Sequence, residues 1–286
     1  LNKKRDSDKN VGVIDSDALG NFADINVAES LRRISGISVE NDQGEGRYVT
    51  VRGMNADLNA MTINGVSTAS PEDRRGVILD GVPTDLLESM TVYKTLTPNI
   101  DADTIGGAID LETISAFSYG SNFTKFKAET SRNDLTKDSS NPKLSGTYTT
   151  VIPQEDGDLG IAFVISSQER HIMADNNETG GWGSTYVNDD YEMRYYDLTR
   201  ERDGIVLNLD YVSNSGSKTY LHAFHNEYVD TEYRAKWEVR DVMEEYTPTI
   251  SGTVATYGAS RMDTEGKNRT EIRSIDNLAI GHETQL

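Results

Sequence analysis

Asn26-Val-Ala-Glu-Ser-Leu31, Ser35-Gly-Ile-Ser-Val39, Tyr48-Val-Thr-Val-Arg-Gly53, Ala60-Met-Thr-Ile-Asn-Gly65, Met90-Thr-Val-Tyr-Lys94 and Ile105-Gly-Gly-Ala-Ile-Asp-Leu-Glu-Thr113 follow one another in the first half of the chain. Asn26 is a helix N-cap with Glu29 at the third helical position, and Val27, Ala28, Leu31 and Ile34 then recur at helical spacing. The pattern predicts a helix over residues 26–35, stopped by a left-handed Gly36. Tyr48, Thr50 and Arg52 alternate with Val49, Val51 and Gly53, the period of a half-buried strand. Asn64-Gly65 is a tight hairpin turn, because both residues tolerate positive φ. A short helix is expected near Pro83, then strands over residues 90–94 and 108–113, with Gly106-Gly107 allowing a sharp turn between them.

Beyond Thr113 the texture changes to longer alternating segments. Leu159, Ile161, Phe163 and Ile165 point one way, suited to lipid, and Gly160, Ala162, Val164 and Ser166 the other, suited to a crowded or wet lumen. Ile205, Leu207, Leu209 and Tyr211 repeat this against Val206, Asn208 and Asp210. Six strands are expected, over residues 117–131, 143–152, 159–166, 205–211, 218–234 and 270–286. A compact turn is expected at residues 214–217, and long polar loops over 174–190 and 239–267. Short turns alternating with long loops characterise outer-membrane barrels, although a soluble β-sandwich or solenoid fits the same alternation.

Composition bounds the function. The chain has 286 residues, 36% of them hydrophobic, and no apolar run long enough for a transmembrane helix. With 28 Lys+Arg against 47 Asp+Glu, its net charge of −19 opposes binding to nucleic acid. The absence of cysteine removes disulfides and thiolate metal sites. Leu1-Asn-Lys-Lys-Arg5 has no apolar core behind it, so a mature or trimmed start is expected.

In order and spacing, the segments quoted above resemble the plug domain of TonB-dependent outer-membrane receptors. The resemblance covers residues 11–114 and leaves residues 115–286 as the N-terminal part of an outer-membrane β-barrel. It implies an α+β plug domain followed by antiparallel transmembrane barrel strands. Plugged transporters have about 22 strands, so six imply an incomplete barrel. It also implies energised nutrient uptake across the Gram-negative outer membrane, and no enzyme activity or cofactor. The implied partners are TonB with its inner-membrane energising complex, outer-membrane lipid, and a small-molecule or oligosaccharide ligand. The TonB box would lie upstream, and Lys3-Lys-Arg-Asp-Ser7 resembles the linker after it.

In this family the ligand meets outward-facing plug loops. The corresponding apices are residues 41–47 and 67–76, whose donors and acceptors are Asn41, Asp42, Gln43, Glu45, Arg47, Thr68, Ser70, Glu72, Asp73, Arg74 and Arg75. Their mixed polarity, with no aromatic residue except the flanking Tyr48, suits a carbohydrate. A siderophore or iron-complex receptor, or a soluble β-rich glycan-binding module without transport, is the alternative. Tyr186, Tyr191, Tyr195 and Tyr196 offer stacking surfaces or an interfacial aromatic belt. Arg52 and Lys94 match two basic positions that in many family members face barrel-wall glutamates, the lysine departing from the commoner arginine.

Other motifs carry less. Asp101, Asp103, Gly106 and Glu112 match positions of a calcium loop, but Ile105 and Ile109 stand where ligands are needed. His222 and His225 fall on opposite faces of a strand, which disfavours a chelating pair. Sequons at Asn122, Asn177 and Asn268 carry little weight in a bacterial envelope protein. There is no P-loop and no Ser/His/Asp grouping.

Overall fold

The computed structural model describes residues 10–15, 24–98, 100, 104–120, 122–137, 140–180, 190–240, 249–256 and 261–284. With no long helix among the described residues, its first part builds a small mixed sheet: β1 (Val11–Asp15), β4 (Asn59–Ile63), β5 (Val66–Ser67), β6 (Leu87–Tyr93) and β7 (Gly107–Thr113), in the order β1-β6-β7-β4-β5. β4 and β7 run parallel, and the other pairs are antiparallel. A separate hairpin, β2 (Ile37–Asp42) with β3 (Glu45–Val51), packs beside the helix α1 (Val27–Leu31).

α1 is shorter than its apolar spacing suggests. After Leu31 the backbone tightens, with Arg33 N–H bonding Ser30 O and Ile34 N–H bonding Leu31 O, so Ile34 reaches the core from an i→i+3 turn. Asn26 caps the helix by accepting from Glu29 N–H at 3.0 Å, and Gly36 takes φ +77°. Asn64 and Gly65 have φ of +51° and +76°, the hairpin turn read from the sequence. The turn after Pro83 is a 3₁₀ segment, Thr84–Leu86. Arg52 departs from the expected alternation: β3 ends at Val51, and Arg52 and Gly53 form a turn with φ of +56° and +72°.

The second part is one antiparallel six-stranded wall in the order β15-β12-β11-β10-β9-β8. Its strands are β8 (Phe123–Ser131), β9 (Asn141–Gln154), β10 (Gly157–Thr179), β11 (Tyr191–Ser213), β12 (Lys218–Arg240) and β15 (Arg261–Glu283). A small hairpin, β13 (Thr249–Ser251) with β14 (Val254–Thr256), lies between the last two. The number of wall strands matches the sequence reading, but their lengths do not. β10, β11, β12 and β15 continue through much of what reads as polar loop, because cross-strand ion pairs such as Arg194–Glu178 and Arg234–Glu265 replace apolar contacts there. Phe117 precedes β8 and sits in a 3₁₀ turn, Ala116–Ser118.

Alternation sorts the wall faces as expected. Ala162, Val164 and Val206 are buried, whereas Phe163, Ile165, Ile205 and Leu207 are exposed. One apolar core joins both parts: Leu86, Ile114 and Ala116 of the first share it with Ala162, Val164, Val206, Phe224 and Ile275 of the wall. Glycine makes the close approach possible. A Cβ at Gly204 would collide with Leu86, and one at Gly160 would stand 2.6 Å from Phe117 Cε2.

Candidate functional site

The tip of the β2–β3 hairpin is a tight turn at Gln43-Gly44, with φ of +51° and +84°. α1 fixes its flank at Gly46. Asn26 Nδ2 donates to Gly46 O at 3.0 Å, and Glu29 Oε1 accepts from Gly46 N–H at 2.8 Å. A Cβ at residue 46 would stand 2.8 Å from Val39 Cγ1, so only glycine seats the hairpin this closely.

This geometry delivers Glu45 to the inner wall, where it is 2% exposed. Arg202 Nη2 donates to it at 2.5 Å, Arg200 Nη1 at 2.8 Å, and Arg170 pairs with its other oxygen. The surrounding shell is also bonded. Arg200 Nε reaches Asp230 at 3.3 Å and its Nη2 donates to Gln43, while Gln43 Nε2 donates to Glu232 at 2.6 Å. Arg202 Nε donates to Asp80 O at 2.7 Å. Burial alone would raise the Glu45 pKa, but attraction to Arg202, Arg200 and Arg170 outweighs it and holds the carboxyl at about 2.

A second cluster joins the two apices. Arg47 pairs with Asp42 at 2.5 Å and with Glu72, and Glu72 Oε2 accepts from Tyr48 OH at 2.6 Å. Burial and the bond to Glu72 push the Tyr48 hydroxyl up to about 12. Burial opposes ionisation of Glu72, but the Tyr48 bond and the Arg47 charge bring its carboxyl below the ordinary value. From the wall, Arg273 makes a bidentate pair with Asp80 at 3.0 and 3.1 Å. Arg273 and Arg202 lie 4.2 and 5.2 Å from the Tyr228 ring centroid, and a Cβ at Gly81 would come within 3.0 Å of Tyr228 Cβ.

Residues 67–76 border an open cleft of about 460 Å³. Ser67, Thr68, Ser70, Glu72, Asp73, Arg74 and Arg75 line it together with Asn59 and Met61. Arg74 lies 4.0 Å over the Tyr48 ring and bonds Asp57 at 3.0 Å, and Asp57 also accepts from Gly76 N–H at 2.8 Å. Asn41 accepts from Arg32 at 2.7 Å on the exposed side of the hairpin.

The structure thus brings Arg47 and Glu72 together, places Thr68, Ser70, Asp73, Arg74 and Arg75 on the cleft, and commits Gln43 and Glu45 to the wall. Arg52 turns its guanidinium onto its own domain, donating to Gly106 O at 2.7 and 3.2 Å, and Lys94 N–H donates to Asn10 O at 2.9 Å. Arg170, Arg200, Arg202, Asp80 and Arg273 escaped the sequence reading. The signal for two of them was available, since Arg200 and Arg202 share the parity of Val206, Asn208 and Asp210 on β11.

Tyr196 faces the inner side and is buried, whereas Tyr191 is exposed. His222 meets Asp210 at 2.9 Å on the inner face, and His225 meets Asp276 at 2.7 Å on the outer one, as their odd separation requires. Lys3–Ser7, Asp101, Asp103 and Tyr186 lie outside the described residues.

Residues 3–108 match the family model of the TonB-dependent receptor plug domain. No curated protein matches the chain. Solved structures similar to it include the ferric citrate transporter FecA in its unliganded form, at 15% identity and a TM-score of 0.46, covering 98% of this chain and 55% of that one. The alcaligin outer-membrane receptor FauA of Bordetella pertussis is similar at 10% identity and a TM-score of 0.47, covering 94% and 49%. The siderophore receptor PirA of Acinetobacter baumannii is similar at 14% identity and a TM-score of 0.43, covering 97% and 46%. The chain spans about half the length of these structures. Residues 3–108 thus match the plug domain of TonB-dependent receptors, and an antiparallel six-stranded wall follows that domain among the described residues.

Proposed function

We propose that the protein imports a neutral, hydroxylated nutrient, a carbohydrate or oligosaccharide, across the outer membrane, powered through TonB. The observation that carries this reading is the cleft beside residues 67–76, lined by hydroxyls, an amide and charged groups, with no aromatic ring among its described lining residues. Such a surface exchanges hydrogen bonds with many hydroxyls. The exposed apolar band at Phe163, Ile165, Ile205 and Leu207 suits outer-membrane lipid.

Ligand on residues 67–76 would touch the loop whose Glu72 holds Arg47 and Tyr48, one step from the Asp80–Arg273 and Glu45–arginine pairs. Occupancy at the apex therefore bears on how the plug is held, while TonB pulls from the periplasmic side. Arg52 and Lys94 would supply a further lock toward wall strands other than the six described. A deletion strain tested on oligosaccharides and iron complexes decides the ligand class. Loss of growth on one sugar, restored by the intact receptor and not by Asp73→Ala with Arg75→Ala, is the expected result. Growth loss confined to iron starvation, with sugar uptake intact, overturns the carbohydrate assignment.

A further inference from the structure

The outer face of the wall carries a second apolar surface separate from the lipid band. On β11 and β12 it comprises Tyr191, Met193, Tyr195, Tyr233, Trp237 and Val239, with Met193 directly opposite Trp237. Trp237 is 50% exposed and Tyr233 46%. β11 and β12 have both neighbours, β10 and β15, in place, so this exposure does not come from a bare sheet edge. The lipid band lies at the opposite end of the same strands, at Ile205, Leu207 and Leu209. At ~3.3 Å per residue and a ~45° strand tilt, Tyr195 stands roughly 23 Å beyond Ile205 along the membrane normal. Hydrocarbon covering both would also enclose Glu169, Glu201, Asp203 and Glu227, which occupy the outer face between them.

The charge around the patch selects its occupant. Among the described residues, the outward positions of β10, β11, β12 and β15 from the patch to the lipid band include Glu169, Asp175, Asp197, Glu201, Asp203 and Glu227, and no Lys or Arg. His171, the nearest basic group, is held by Asp197 at 2.6 Å. An acidic rim repels the phosphates of a lipid headgroup, and in a self-complementary contact between two copies it would face itself. Tyr, Trp and Met at the centre with charge at the rim is the composition of a protein interface.

We propose that this face docks a second cell-surface protein that presents an apolar centre ringed by Lys and Arg, a proposal that rests on the reading of the wall as an outer-membrane barrel. A photoreactive phenylalanine analogue replacing Trp237 in the full-length receptor, in its own cells, is expected to give an adduct with one other protein, while the same analogue at Ile205 gives none. That protein, purified, should bind the detergent-solubilised receptor, and binding should weaken about tenfold or more for Trp237→Glu. It should also weaken for Glu201→Gln with Asp203→Asn, and with rising salt. No adduct, an adduct between two receptor copies, or one with lipopolysaccharide alone overturns the proposal. So does a partner whose binding ignores both salt and the acidic residues. Absence of the receptor from the outer-membrane fraction would defeat the transport reading instead, and the measurement in detergent would still judge the docking face.

Discussion

Among the described residues, Glu45 is the one carboxylate that meets all of Arg170, Arg200 and Arg202, which come from two wall strands. Glu45→Gln keeps the shape but strands buried positive charge, at a cost of roughly 3–5 kcal/mol. The expected outcome is faster protease cleavage of the plug and its release at lower urea. Because its carboxyl is depressed from 4.5 to about 2, the stabilisation is complete above 4.5 and is lost as pH falls through 2. Plug retention at pH 4 should therefore stay close to that at pH 7. A retention midpoint near pH 4.5 that Glu45→Gln abolishes would contradict the assignment. The sequence marks Glu45 as a polar apex residue but gives no sign of its burial, because its partners lie more than a hundred residues away. Arg200 and Arg202 were legible as inward by parity, but which plug group they meet depends on the tertiary approach.

Among the elements, the hairpin and the wall depend on missing side chains. Gly46→Ala puts a methyl group against Val39 and Glu29 and should cost about 1–3 kcal/mol, displacing Glu45 from the arginines. Gly204→Val should push Leu86 off the wall and loosen the plug, whereas Gly146→Val, whose Cβ would sit 3.5 Å from Ile165 on the outer face, should not. Equal protease resistance for the two valine variants would show that the glycine contact is idle. The cap at Asn26, the turn at Asn64-Gly65 and the alternation of β10 and β11 were all readable, since each is set by local chemistry. The outer lengths of the wall strands were not. There the outward positions of β10 and β15 are mostly polar and the inward ones carry pairs such as Lys236–Glu265, so period two leaves little hydropathy signal in those strands.

For the whole molecule, the plug is held by a dry core shared with the wall and by ion pairs shielded from solvent. Salt at ~1 M screens exposed charges over ~3 Å and reaches buried pairs far less. High salt should therefore leave the plug in place, while urea, which weakens burial, releases it. Release by salt alone, read by protease sensitivity, would mean that the pairs are wet.

The arginines that hold Glu45 belong to the wall, and in the transport reading proposed above they would stay behind as the plug moved. With Glu45 withdrawn, Arg170, Arg200, Arg202, Arg269 and Arg273 would line one arc of the open passage, faced on the wall by Asp230, Glu232 and Glu271. The passage would then change its electrical character as it opens, from a neutral seal to a conduit whose inner arc favours anions. In planar bilayers, a plug-deleted receptor should show a reversal potential displaced toward that of chloride, and neutral substitution of the three Glu45-binding arginines should move it back.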